Sequence, residues 1–270
     1  MMSDQEKSAW VRELAPVASP LSLMFHVTEH KKGSHGLAEL IRQEAFARVV
    51  SRVQSPLFHI WQRPATVLLG GRERALPFLQ KGKDHLRAVG YETVVRPFGG
   101  LAVPLDRGVL NLTYMTPRDV PIETAFRAMA ELLCELLSPL SIEVGEVPQA
   151  YCPGRYDLHI GGVKVAGLAQ RRLRGVVQVS AALNVTPASV SRAALIRSFY
   201  QHATTGREAW VPHVSDDAVG DLLSFGCAAA SSSERLITHI KHGLARYWTL
   251  RAVIEPTHDE QEDALRRLSP

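Results

Sequence analysis

The chain has 270 residues, long enough for one sizeable domain. Hydrophobic residues make up 46% and the formal charge is +4, an ordinary globular balance. No apolar run approaches the length of a bilayer span and no signal-peptide pattern opens the chain, so membrane and secreted classes drop out and the cytoplasm is the expected location.

The first 30 or so residues read as a leader. They end in "HVTEHKKGSHG", where His26, His30 and His35 lack any metal-ligand spacing. "GLAELIRQEAFARVVSRV" places Leu37, Leu40, Ile41, Ala45 and Val49 at helical spacing. "LFHIWQ" and "ATVLLGG" read as strands, and "PFLQKGKDHLRAVG" as a short helix stopped by Gly90. "YETVVRPFGGLAVPLDRGVLNLTYM" reads as strand, Gly-Gly turn, strand, Asp-Arg-Gly turn, strand. "PIETAFRAMAELLCELL" is an amphipathic helix with Ile122, Phe126, Met129, Leu133 and Leu136 on one face and Pro121 in its first turn.

"YDLHI" and "VKVAGLAQ" flank Gly161-Gly162, the pattern of a two-residue hairpin. "GVVQVSAAL" is a further strand, and "TPASVSRAALIRSFYQH" a helix. Beyond Gly206 the pattern turns helical. Hairpins mixed with helices predict an α+β fold built on a mostly antiparallel sheet. The expected organisation is a single domain over 1–270, with a core at about 34–205 and a helical C-terminal extension at 206–270.

Three cysteines cannot all pair, and their spacing matches no metal module. Cys134 and Cys227 read as packing residues. Cys152 lies in a Tyr-Cys-Pro-Gly loop, where it is either incidental or a nucleophile held at a surface. Lys164 alternates with Val163 and Val165 and faces either solvent or a site; the small residues Gly161, Gly162, Ala166 and Gly167 leave room for a close approach. If Gly161-Gly162 is the turn, Lys164 lies opposite His159. A straight strand from there to Cys152 spans roughly 23 Å at ~3.3 Å per residue. Cys152 and Lys164 therefore meet only if the Tyr151–Gly154 segment folds back, which would bring the sulfur within one water of the lysine nitrogen. Residues 155–174 carry Arg155, Lys164, Arg171, Arg172 and Arg174 against Asp157 alone, and the rest of the chain is neutral. That cluster is either a solvated face or a docking patch for an anionic partner.

These segments resemble the lipoate/biotin protein ligase superfamily. Arg96, Gly99, Gly100, Ala102, Val103, Asp106, Gly108 and Asn111 follow the ligases' Arg-Arg-x-x-Gly-Gly-Gly-Ala-Val-x-His-Asp-x-Gly-Asn-x-Asn pattern, and Lys164, Gly167, Ala169 and Gln170 follow their Lys-x-x-Gly-x-Ala-Gln element. Val95, Leu101, Leu105 and Val109 stand where the ligases have Arg, Gly, His and Asn, which removes support for nucleotide binding. The Cys-Pro-Gly-x-Tyr-Asp-Leu element, "RPFGGLAVPLDRGVLN" and "LIRSFYQ" are more similar to the octanoyl-[glycine cleavage H protein]:protein N-octanoyltransferase branch, over roughly Arg63 to Tyr200.

The resemblance implies a biotin/lipoate protein ligase-like catalytic domain that moves an octanoyl group in lipoate biosynthesis. Cys152 would carry it as a thioester, with Lys164 as general acid and base activating the thiol. Arg96, Gly99, Gly100, Ala102, Gly167 and Gln170 would surround the acyl group. The donor would be the glycine cleavage H protein and the acceptors the lipoyl domains of 2-oxoacid dehydrogenase E2 subunits, steered by Arg155, Arg171, Arg172 and Arg174. No cofactor, metal, nucleic acid or membrane is implied, and no ATP is needed because exchanging one amide for another is nearly isoergic. The alternatives are an octanoyl-[acyl carrier protein] transferase using the same thiol, an ATP-dependent lipoate ligase that does not need Cys152, and a silent carrier-binding module.

Overall fold

The computed structural model describes residues 22–28, 36–63, 65–173, 175–188 and 191–268. Eleven strands and six helices fall within them. The strands are β1 (Ser22–Thr28), β2 (Leu57–Trp61), β3 (Thr66–Leu69), β4 (Glu92–Val95), β5 (Val103–Leu105), β6 (Val109–Thr116), β7 (Glu143–Val144), β8 (Leu158–Ile160), β9 (Val163–Leu173), β10 (Val176–Asn184) and β11 (Thr249–Ala252). The helices are α1 (Gly36–Val53), α2 (Leu79–Ala88), α3 (Ile122–Leu136), α4 (Arg192–Ala203), α5 (Ser233–Ala245) and α6 (His258–Leu268). None of the described helices is long and apolar enough to cross a membrane.

The main sheet runs β11-β1-β2-β6-β10-β9-β8-β7; the β11-β1 and β1-β2 pairs are parallel and every other pair is antiparallel. Alternation along β6 sorts the two faces. Leu110, Leu112 and Tyr114 join Val177, Val179 and Ala181 of β10 under α3 and α5, which bury Met129, Leu133, Leu236 and Ile240 against them. Asn111 and Thr113 point the other way. There Thr113, Gln43, Ser180 and Gln178 form a buried hydrogen-bonded layer that reaches His59 through Gln43. Burial holds the His59 imidazole well below its ordinary pKa, so the ring is neutral. α1 covers the same face, packing Phe46, Val49 and Val50 on Leu57 and Met115.

The small sheet β4-β3-β5 stacks on α2 and α4 around a second core of Leu68, Leu69, Leu105, Ile196 and Phe199. The sequence reading expects a Gly99-Gly100 turn joining one strand directly to the next, but β3 lies between β4 and β5, so the pair does not close a hairpin between neighbours. It crosses over the end of β3 instead. Ser22–Thr28, expected in a leader, is an interior strand. The expected helical extension contributes β11 to the sheet and buries Leu236, Ile240 and Leu244 of α5 in the main core. α6 lies on α1, held by Arg48–Asp263 and Arg52–Glu260.

α2 and α4 meet at Gly82, where a Cβ would sit 2.8 Å from both the Ala203 Cβ and the Phe199 ring. Gly82→Val is expected to cost about 1–3 kcal/mol by overpacking. The cost should show as a lower urea midpoint at unchanged slope; an unchanged midpoint would contradict this packing.

Candidate active site

The β8–β9 hairpin turns on Gly161 (φ +57) and Gly162 (φ +83), the paired left-handed residues of a tight two-residue turn. Its register sets His159 opposite Lys164, as the spacing requires. Lys164 is only 1% exposed. Its ammonium has three acceptors: the Asp157 Oδ2 at 2.8 Å, the Cys152 carbonyl at 2.7 Å and the Tyr151 carbonyl at 3.0 Å. The Tyr151–Gly154 segment does fold back over the hairpin. The lysine nevertheless grips it by the main chain, not by the sulfur.

Tyr151 anchors the preceding residue. Its ring is buried beneath the ammonium, 5.6 Å from Nζ, and its hydroxyl donates to Asn184 Oδ1 at 3.1 Å. Asp157 closes the other end by accepting from the Gly154 N–H at 3.0 Å. Between these anchors Cys152 sits at φ +45, a left-handed conformation that a side chain adopts only under constraint. Its sulfur accepts from the Leu101 N–H at 3.0 Å and lies 3.5 Å from Arg96 Nη2.

Gly100 makes that contact possible. At φ +100, a Cβ there would lie 2.3 Å from Arg96 Nη2 and 3.0 Å from the sulfur. Behind the same segment Glu73, fully buried, accepts from the Ala102 N–H and the Tyr200 hydroxyl, both at 2.7 Å on Oε1. Ala102 is thereby turned into the second core and does not line the cavity, a correction to the expected acyl-binding set; its neighbour Val103 does line it. Desolvation, reinforced by Glu73, pushes the Tyr200 phenol far up, so the hydroxyl stays a donor.

The sulfur opens on a cavity of about 420 Å³, within the range of small-molecule pockets. Arg96, Gly99, Gly100, Gly167 and Gln170 line it together with Cys152 and Lys164. Trp61, Leu68, Val103 and Ala182 close its inner part; Ile122, Phe126 and Leu168 form an apolar mouth. Ile122 is therefore exposed, although it shares the periodicity of the buried face of α3.

The basic cluster does not form one patch. Arg171 and Arg172 are consecutive in a strand and point to opposite faces. Arg171 pairs with Glu44 of α1, away from the mouth. Arg172 lines the cavity and pairs with Asp119 at 2.9 Å. Arg155 pairs with Glu123 at 3.1 Å beside the stacked rings of Tyr156 and Phe126. Arg174 lies outside the described residues. Asp157, Glu73 and Tyr200 were not anticipated. Asp157 was visible as the lone acid beside Lys164, whereas Glu73 in "GGRERA" gave no signal.

The family model for the lipoyl protein ligase A/B catalytic domain matches residues 37–241, more than half of the chain. The chain belongs to that family. Among curated relatives, the octanoyl-[GcvH]:protein N-octanoyltransferase of Anoxybacillus flavithermus is 39% identical over 169 residues, covering 61% of this chain and 62% of the relative. That of Staphylococcus aureus is 34% identical over 184 residues, 66% of each chain. That of Bacillus velezensis is 44% identical over 148 residues, 53% of this chain and 52% of the relative. The chain thus spans about half to just under two thirds of the length of these relatives. Among solved structures, a lipoate-protein ligase A bound with ATP superposes with a TM-score of 0.61 at 18% identity, over 92% of this chain and 93% of that one. A bipartite lipoate protein ligase from Thermoplasma acidophilum gives 0.60 at 18% identity, over 92% and 91%. These two likenesses establish the lipoate protein ligase-like fold.

Burial raises the Asp157 carboxyl to about 6, and the Lys164 ammonium opposes that rise. Removing the ammonium leaves the Gly154 N–H as the one hydrogen bond that still opposes the desolvation. Lys164→Met is therefore expected to move the Asp157 midpoint above 6, as read by carboxyl carbon NMR. A midpoint near 4 in the unaltered protein would contradict the buried pair.

Proposed function

We propose that this member of the family is an octanoyl amidotransferase. It takes an octanoyl group from the lipoyl-lysine of the glycine cleavage H protein and passes it, through a Cys152 thioester, to the lipoyl domains of 2-oxoacid dehydrogenase E2 subunits. One observation carries this reading: a thiol is held by its own backbone at the rim of a mainly apolar cavity, against a buried Lys–Asp pair. The curated relatives named above support the choice of donor.

The chemistry needs two acyl transfers. The Cys152 thiolate attacks the carbonyl carbon of the octanoyl-lysine amide, the C–N bond breaks, and the departing amine takes a proton from the Lys164 ammonium. The neutral amine of the incoming acceptor lysine attacks the thioester, Lys164, now neutral beside Asp157, takes the proton that this nitrogen loses, and the C–S bond breaks to return the thiolate. Each step exchanges one acyl bond for another, so the overall exchange consumes no nucleotide. The Leu101 N–H, already aimed at the reacting sulfur, is placed to stabilise negative charge there. Gly167 and Gln170 border the path of the carbonyl. Arg155 and Arg172 stand at the mouth, where carrier proteins would dock, and the reaction belongs in the cytoplasm.

The test offers an apo lipoyl domain with three donors in parallel: octanoylated H protein, octanoyl-acyl carrier protein, and octanoate with ATP and magnesium. Transfer from octanoylated H protein without nucleotide, lost in Cys152→Ser, is expected. Transfer from the acyl carrier protein alone would reassign the donor. Transfer that requires ATP and survives Cys152→Ser would overturn the reading.

A further inference from the structure

We propose that Arg96 is the counter-ion of a Cys152 thiolate and hence a catalytic residue, while the charge of Lys164 is spent on Asp157. The inference rests on the reading of Cys152 as nucleophile and names the group that makes its sulfur reactive. Arg96 follows β4, its N–H bonded to the Leu69 carbonyl, and it is 6% exposed. Among the described residues no carboxylate lies within ion-pair distance of it. Its Nη2 has two acceptors, the Leu101 carbonyl at 2.8 Å and the Cys152 sulfur at 3.5 Å, and its Nε is buried without a partner. Phe98 covers its face, with the ring centre 5.2 Å away.

A guanidinium buried without an anion is costly. Among the described residues, the sulfur is the one group hydrogen-bonded to it that becomes an anion by losing a proton. The Leu101 N–H converges on the same atom. Two donors aimed at one sulfur favour the form that only accepts.

Among the described residues, no other charged group hydrogen-bonds the sulfur. Asp157 neutralises Lys164, whose remaining bonds go to carbonyls. Glu73 Oε1 is taken by the Ala102 N–H and by Tyr200, and its Oε2 is buried without a hydrogen-bond partner. Burial pushes the phenols of Tyr151 and Tyr200 up, keeping both neutral. Gly100, lacking a Cβ, leaves the space in which guanidinium and sulfur meet.

The test is the rate of Cys152 alkylation by iodoacetamide at pH 7 and pH 10, with Cys134 and Cys227 replaced by serine. It uses no acyl donor, so its failure leaves the transferase reading standing, and failure of that reading leaves this result intact. Arg96→Gln is expected to slow alkylation about tenfold at pH 7 and to converge with the parent at pH 10, where a thiol ionises unaided. Arg96→Lys, which keeps the charge, is expected to change the pH 7 rate less than about threefold. Arg96→Gln reacting like the parent at pH 7, or Arg96→Lys slowing it tenfold, overturns the proposal. Should Arg96→Gln not fold, Arg96→Lys decides: a rate within threefold of the parent supports the charge, and a tenfold loss refutes it.

Discussion

Everything at the site depends on one buried ammonium with three acceptors. Lys164 bonds Asp157 and the carbonyls of Tyr151 and Cys152, and so ties the loop to the hairpin. Breaking such a buried pair by removing one partner costs about 3–5 kcal/mol, because the other charge is left stranded. A left-handed non-glycine residue costs roughly 1–3 kcal/mol. The bonds from Lys164, with those anchoring Tyr151 and Gly154, are large enough to hold Cys152 in that conformation. The strain is local and has a use: in this conformation the sulfur meets the Leu101 N–H of the Gly99–Leu101 segment, where the cavity opens.

Two cations flank the cysteine, and they do different work. Lys164 sits behind the main chain, paired with an acid, at a place where a proton can be given and taken back. Arg96 sits in front, against the sulfur. The Gly-Gly segment between them must be thin to admit the guanidinium and rigid to aim the Leu101 N–H. Glu73 and Tyr200 supply the rigidity from the second core. Two separately packed layers therefore meet at one sulfur atom, the main sheet through β8 and β9 and the small sheet through the crossover after β4.

Much of this was legible in the chain. Gly161-Gly162 fixes the hairpin, so His159 must face Lys164, and from that register length requires the cysteine loop to fold back if Cys152 and Lys164 are to meet. The helical periodicities of α1, α3 and α4 are equally plain, although α4 starts at a Ser191 cap that accepts from the Ala194 N–H and not at the expected Thr186-Pro187. What escaped was non-local. Ser22–Thr28 is a strand because β2 and β11 flank it, and β11 lies more than 200 residues away. Alternation says that Arg171 and Arg172 oppose each other but not which one faces the mouth. Ala102 points inward because Glu73 claims its N–H, a contact across 29 residues that leaves no local pattern.

The most direct test is intact mass spectrometry of the protein mixed with octanoylated H protein and no acceptor. The account predicts a mass gain of one octanoyl group, located at Cys152, cleared by hydroxylamine and discharged when a lipoyl domain is added. Acyl transfer proceeding at full rate while Cys152 stays unmodified throughout would contradict it.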